Sequence, residues 1–273
     1  MAKRLGEGSM KADSLPRGDF TPPVHRISAE APWEWLAGGW RDTFVNPWLS
    51  LGYGAAFVVA GAAIFFGLAA LNMGSWVAVA AGGFLLVGPM LAVGLYEISR
   101  RYEVNEPVTL TEALFVKTRS PIQLAYMGFL LLFAFLVWAR VAQLLFALFA
   151  GGSVTIAQGD YPDVLEFADF ITHQPSGWAL LAIGSVFGAV IAFSVFAMTA
   201  VSVPMLMERD TDLFTAVATS IKAVTANPGP MILWAWIIAV VIGTSIATLG
   251  LGLIVAFPLI GHATWRAYRA LVQ

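Results

Sequence analysis

Five apolar blocks, each about as long in helix as a bilayer is thick, leave few folds open to this chain. They run from Leu49 to Leu71, Ser75 to Tyr96, Ile122 to Ala150, Gly177 to Leu206 and Met231 to about Ile260, and Arg140 is the one charge inside them. A hydrocarbon core about 30 Å thick takes about 20 helical residues to cross. Backbone crossing it must satisfy its own hydrogen bonds, which such single segments do only as helices. With 59% apolar and 12% charged residues, against about 45–50% and about 25% in ordinary soluble domains, a water-soluble fold has nowhere to hide the surplus. The expected class is an all-α membrane protein.

The last block holds about 30 residues, and Gly250 and Gly252 near its middle permit a tight turn. Splitting it there makes six spans. Cytoplasmic loops retain Lys and Arg while translocated loops are depleted of them. Lys3, Arg4, Lys11, Arg17, Arg26 and Arg41 precede the first span. Arg100, Arg101, Lys117 and Arg119 occupy the second connection, Arg209 and Lys222 the fourth, and Arg266 and Arg269 the C-terminus. The first, third and fifth connections hold none. An unbroken fifth helix would send Arg266 and Arg269 outside, so six spans with both termini cytoplasmic is the expected topology, in a bacterial inner membrane. The third connection, with Asp160, Asp163, Glu166 and Asp169, is purely acidic and belongs outside. Residues 1–32 are polar with no apolar core, which fits a disordered cytoplasmic tail rather than a signal peptide.

Ahead of each odd-numbered span stands a short amphipathic segment ending in a small polar residue and proline: WEWLAGGWRDTFVNP, TLTEALFVKTRSP and LFTAVATSIKAVTANP. Proline at a helix start forfeits no hydrogen bond, and Asn46, Ser120 or Asn227 ahead of it suits a cap. A second proline recurs near the inner end of each even-numbered span, at Pro89, Pro204 and Pro258, followed by YEISRR, MERD and HATWRAYR. The pattern suggests three units, about 33–103, 108–210 and 212–273, each an interfacial amphipathic helix plus a two-span hairpin. Against it, Asn-Pro and Ser-Pro are common boundary signals in any multi-span chain. Trp33, Trp35, Trp40 and Trp48 would anchor the first interfacial helix in the headgroup layer.

Few residues offer chemistry. Arg140 lies about 27 Å along its helix from Ile122, near the outer interface, where a long cation reaches water cheaply. Pairing with Asp163, Glu166 or Asp169, to pin the acidic loop as a lid, is expected over a role in an ion pathway. Glu97 has Arg100 and Arg101 one turn on, the spacing of a helix ion pair that anchors an interface. His262 and Arg266, four apart on one face, suit a lipid phosphate, a partner carboxylate or a solvated helix end. The three histidines, His25, His173 and His262, fall too far apart on this topology to share a haem or metal. Cysteine is absent, and there is no GxSxG elbow, P-loop or dinucleotide fingerprint. No cofactor is expected, and a net charge of −2 offers nothing to nucleic acid.

WRDTFVNP, GFLLVGP, GLYEISRRYE, PMLMERD, TSIKAVTANP and FPLIGHATWRAY, in that order, resemble a bacterial integral-membrane family catalogued as domain of unknown function 2189. The resemblance covers about Trp33 to the C-terminus and implies a membrane protein without an assigned activity. Members of that family often carry histidine where this chain has Arg266.

Two function classes remain. One is a non-catalytic accessory, scaffold or assembly component of a larger membrane complex, respiratory or photosynthetic, its partners being the bilayer and that complex. The other is a transporter or channel for a small solute or lipid, which the repeated units favour and the lack of ionisable residues at mid-span disfavours. An enzyme is the least supported class, because each catalytic constellation sought is missing.

Overall fold

In the computed structural model, residues 21–150 and 162–272 are described, and every regular element among them is an α-helix. In order these are α1 (Ala31–Val45), α2 (Pro47–Ala70), α3 (Ser75–Leu91), α4 (Val93–Glu103), α5 (Leu110–Leu114) and α6 (Pro121–Ala150), followed by α7 (Val164–His173), α8 (Pro175–Thr199), α9 (Ser202–Glu208), α10 (Leu213–Ala226), α11 (Pro228–Ala247) and α12 (Leu253–Val272). Five stretches are long and apolar enough to cross a membrane: α2, α3 with α4, α6, α8 with α9, and α11. The all-helical membrane class expected from the apolar blocks is therefore observed.

The expected sixth span is α12, which is long enough but not apolar enough to qualify on composition. Its second half carries His262, Arg266 and Arg269, and these meet protein partners. The split itself falls where the glycines put it. α11 stops at Ala247, Leu249 and Gly250 take φ of 57° and 80°, and α12 starts at Leu253. Gly250 adopts that left-handed conformation at no steric penalty.

Pro47, Pro121, Pro175 and Pro228 each open a helix, where a missing N–H costs nothing. The polar residues before them divide their work. Asn46 caps α2, its Oδ1 accepting the Leu49 N–H at 3.4 Å. Ser120 instead ties in the α9–α10 link, its Oγ donating to Arg209 O (2.9 Å) and accepting from Thr211 N–H (3.1 Å). Asn227 holds the N-terminal segment: Nδ2 donates to His25 O and Oδ1 accepts the Ile27 N–H, both at 3.0 Å. Asp212 caps α10, and hydrogen bonds from the Thr215 hydroxyl (2.6 Å) and N–H (2.9 Å) hold its carboxyl below the usual carboxylate range.

Those Asn227 bonds correct the expected tail. Residues 21–30 are docked rather than free, with Val24 and Ile27 packed on the core, and the boundary at 32 falls inside α1. The cause is backbone pairing, since an extended segment lying against helix ends finds partners for its own N–H and C=O groups. Residues 1–20 of the expected tail lie outside the described residues. The His25 N–H donates to Leu271 O at 2.9 Å, so the docked segment and the end of α12 share one end of the bundle.

That end holds the core. Leu95, Ile98, Val201, Leu206, Trp265, Tyr268 and Leu271 are fully buried there. Gly39 lets α1 lie directly on α12: a Cβ at this position would come within 2.6 Å of Leu259 O and 2.8 Å of Ala263 N. Trp35, expected as an interfacial anchor, is buried against Trp234 in an edge-on contact at 5.6 Å, whereas Trp33, Trp40 and Trp48 are exposed. Away from this end the surface is apolar and open, with Val59 and Phe66 of α2 and Leu71 just past its end about 70% exposed.

Candidate functional site

The buried half of α12 brings five polar side chains into the protein, and residues from four other helices receive them. His262, fully buried, bonds Ser50 of α2 through Nε2 (3.0 Å) and Ser99 of α4 through Nδ1 (2.7 Å). A neutral imidazole donates from one nitrogen and accepts at the other, and hydroxyls supply either complement. Ser50 stands at the reach of a nucleophile from its base. Both groups, however, have zero exposure.

One turn on, Arg266 grips Asp42 of α1 in a two-point fork, Nε to Oδ2 at 2.9 Å and Nη2 to Oδ1 at 2.6 Å. Paired hydrogen bonds of this kind between ions are about twice as strong as neutral ones. Arg269 bridges Glu103 of α4 (2.7 Å) and Glu208 of α9 (2.8 Å). The same carboxylates take Trp265 Nε1–H (2.9 Å) and Tyr268 O–H (2.6 Å). Every one of these contacts joins segments far apart in the chain, and together they form an ionic collar at the end where the chain's described ends meet.

A cavity of about 600 Å³ opens beside the collar, lined by Asp42, Ser99, Tyr102, Glu103, Glu106 and Arg266. Its carboxylates already have cationic neighbours: Asp42 has Arg266, Glu103 has Arg269, and Glu106 lies 3.9 Å from Arg100. The Tyr102 hydroxyl is the buried side-chain atom without a partner among the described residues, and its ring stacks over His262 at 6.4 Å. Among the described residues no three metal-donor side chains converge.

The structure places each residue singled out by sequence. Glu97 accepts from Arg100 (2.7 and 2.8 Å) and Arg101 (2.7 Å), and Arg101 continues to Glu112 (3.0 Å), so this cluster locks α4 to α5. His262 and Arg266 do share a face, but neither the solvated helix end nor a lipid phosphate describes them. His262 is enclosed by two serines, and the partner carboxylate of Arg266 is this chain's own Asp42. The expected pairing of Arg140 with the acidic loop is also overturned among the described residues. Arg140 Nη1 donates to Gln143 Oε1 (3.1 Å), one turn along α6. Asp163 and Glu166 form a capping box at the start of α7, and Asp169 faces His173 at 3.0 Å. These acids are held by their own helix. Asp160 lies outside the described residues.

Asp42, Ser50, Ser99, Glu103, Glu208, Tyr268 and Arg269 escaped sequence reasoning. The signal was there in outline, since all but Ser50 fall in the motif stretches WRDTFVNP, GLYEISRRYE, PMLMERD and HATWRAYR.

A second cavity, about 780 Å³, lies as a cleft between α3, α6 and α8, with Phe167 and Ile171 of α7 and Ala239 of α11 also lining it. Its walls are mostly apolar, and Ser75, Arg140, Gln143 and Ser185 are the hydroxyl, amide and charged side chains on them.

Residues 76–208 match the family described as predicted integral membrane protein (DUF2189). GFLLVGP, GLYEISRRYE and most of PMLMERD fall within that stretch; the other motifs of the resemblance lie outside it. No curated protein and no solved structure matches the chain.

Proposed function

We propose that this protein is a non-catalytic accessory or scaffold component of a bacterial inner membrane, holding a larger membrane complex through an apolar flank. The observation that carries this reading is the contrast along α2. Its inner part packs on α12 through Tyr53, which stacks on Phe257, and Phe57, which meets the same ring at a tilt. Beyond that point Val59, Ile64, Phe66 and Leu71 are between 55 and 70% exposed. A helix gripped at one end and bare along the rest offers van der Waals surface to another span, and this is how helices associate in lipid.

Six crossings with both ends cytoplasmic fit this reading. Segments hydrogen-bonded to each other as His25 and Leu271 are share a side, and an even number of crossings returns the chain to where it began. The Lys and Arg distribution assigns that side to the cytoplasm. The element order α1–α2–α3/α4, α5–α6–α8/α9 and α10–α11–α12 supports three related units, α7 being an insertion in the second. Repeated units also favour the second reading, a transporter or channel. The mostly apolar walls of the α3–α6–α8 cleft count against a path for a polar solute, which needs polar lining.

The test is affinity purification in mild detergent, with a photo-crosslinking residue at Phe66 and a buried control at Ala223. A scaffold yields a stoichiometric membrane complex and one recurring crosslinked protein from Phe66 alone. Repeated isolation of the chain without a partner, together with solute flux in proteoliposomes, overturns it.

A further inference from the structure

We propose that the cleft between α3, α6 and α8 binds one anionic phospholipid, its acyl chain lying along the cleft and its headgroup phosphate held by Arg140. The cleft's volume, about 780 Å³, falls within the roughly 300–1,000 Å³ of small-molecule sites. It runs along α3 from Ser75 to Leu86, about 16 Å at the helical rise. That makes it a long, narrow space suited to a chain.

The floor is apolar. Trp138 lies across it, and its one polar atom is already used, Nε1 donating to Val79 O at 3.2 Å. Gly188 makes room for this ring: a Cβ there would stand 3.2 Å from it. Gly184, by contrast, faces space, its nearest neighbour being Leu145 at 4.0 Å. Apolar clefts of this kind gain nothing from water.

Arg140 supplies the charge. Arg140 is exposed, and among the described residues its hydrogen-bond partner is Gln143, which leaves most of the guanidinium's donors free for an outside acceptor. The nearby carboxylates of α7 do not neutralise it, since Asp163 and Glu166 cap their own helix and Asp169 faces His173. A cation without a counter-ion among the described residues, beside an apolar slot in a bilayer, is complementary to a molecule that is anionic at one end and aliphatic at the other. Arginine recognises phosphate through its planar fork. The site is independent of the α2 flank and stands whether or not that flank holds a partner.

Native mass spectrometry of the delipidated full chain, titrated with phosphatidylglycerol and with phosphatidylcholine of identical acyl chains, tests this. One phosphatidylglycerol should bind more tightly than phosphatidylcholine by about fivefold, the worth of one cation at a lipid surface. Excess inorganic phosphate should not displace it. Arg140→Gln, at an exposed position that folding does not depend on, should abolish the preference, and Arg140→Lys should keep most of it. Gly184→Leu, which fills the slot, should lose both lipids with its unfolding temperature unchanged. Equal binding of the two lipids, an intact preference in Arg140→Gln, or a photo-crosslinker at Leu181 that captures a protein chain in native membranes would each overturn the proposal.

Discussion

Removing one member of the Asp42–Arg266 pair should cost far more than removing the other. Asp42 keeps 9% of its side chain exposed and Arg266 keeps 40%. Arg266→Met retains the stem that packs on α1 but strands a carboxylate in the protein, a loss of about 3–5 kcal/mol. Asp42→Ala leaves a guanidinium that already reaches the cavity and can extend to water, so its loss should resemble that of an exposed pair, about 1 kcal/mol. The gap between the single variants is therefore about 2–4 kcal/mol, on a total stability of roughly 5–15. The double variant no longer strands a charge and should be more stable than Arg266→Met alone. Thermal unfolding in one detergent, followed by tryptophan emission, measures all four proteins of the cycle. Equal losses for the two single variants, or simple additivity in the double variant, would refute the reasoning.

Four further outcomes are expected. His262→Leu should lose about 2–4 kcal/mol, because the buried hydroxyls of Ser50 and Ser99 lose their ring partner; adding Ser50→Ala and Ser99→Ala should restore much of it, as the same unfolding assay would report. Gly39→Ala and Gly52→Ala should shift the unfolding temperature in opposite directions. The first drives a Cβ into α12 backbone and costs about 1–3 kcal/mol, whereas the second meets nothing within 4 Å and gains about 0.5–1 kcal/mol from helix propensity. Asn227→Ala releases the bonds to His25 and Ile27, so trypsin should cut at exposed Arg26 faster in vesicles that present this face. Asp212, whose folded carboxyl is held low, stabilises α10 fully above its unfolded pKa of about 3.9. That support is lost as pH falls through the lower folded value, so amide exchange in α10 should accelerate only in strong acid for the wild type and already at neutral pH in Asp212→Ala, which removes the accepting oxygens.

Elements governed by length or local backbone chemistry were legible in the sequence. Charge-free length marks the long helices, proline marks the starts of α2, α6 and α11, and the glycines near 250 mark the turn before α12. Glu97 with Arg100 and Arg101 was legible for the same reason, since partners three and four apart meet on any helix. The collar was not, because Asp42 and Arg266 lie 224 positions apart and no periodicity relates them. His262 misled because the helix that surrounds it with Ser50 is more than 200 residues away. The acids near Arg140 misled for a different reason. Asp163 and Glu166 stand in the spacing of a capping box, a local pattern whose demand for the carboxylates outweighs a distant cation.

α12 is the last helix in the chain, yet it supplies the partners of Asp42, Ser50, Ser99, Glu103 and Glu208. Until it is in place those groups lack the bonds that offset their burial, so the collar closes only after α12 has been made. The opposite end has no such dependence. The cleft is built by α3, α6, α7 and α8 with Ala239 of α11, takes no lining from α12, and is braced by the Trp138 bond to Val79 O. A lipid at Arg140, or a partner along α2, can therefore engage before the collar forms. Binding at one end and closure at the other are separable, because they draw on different helices and different forces.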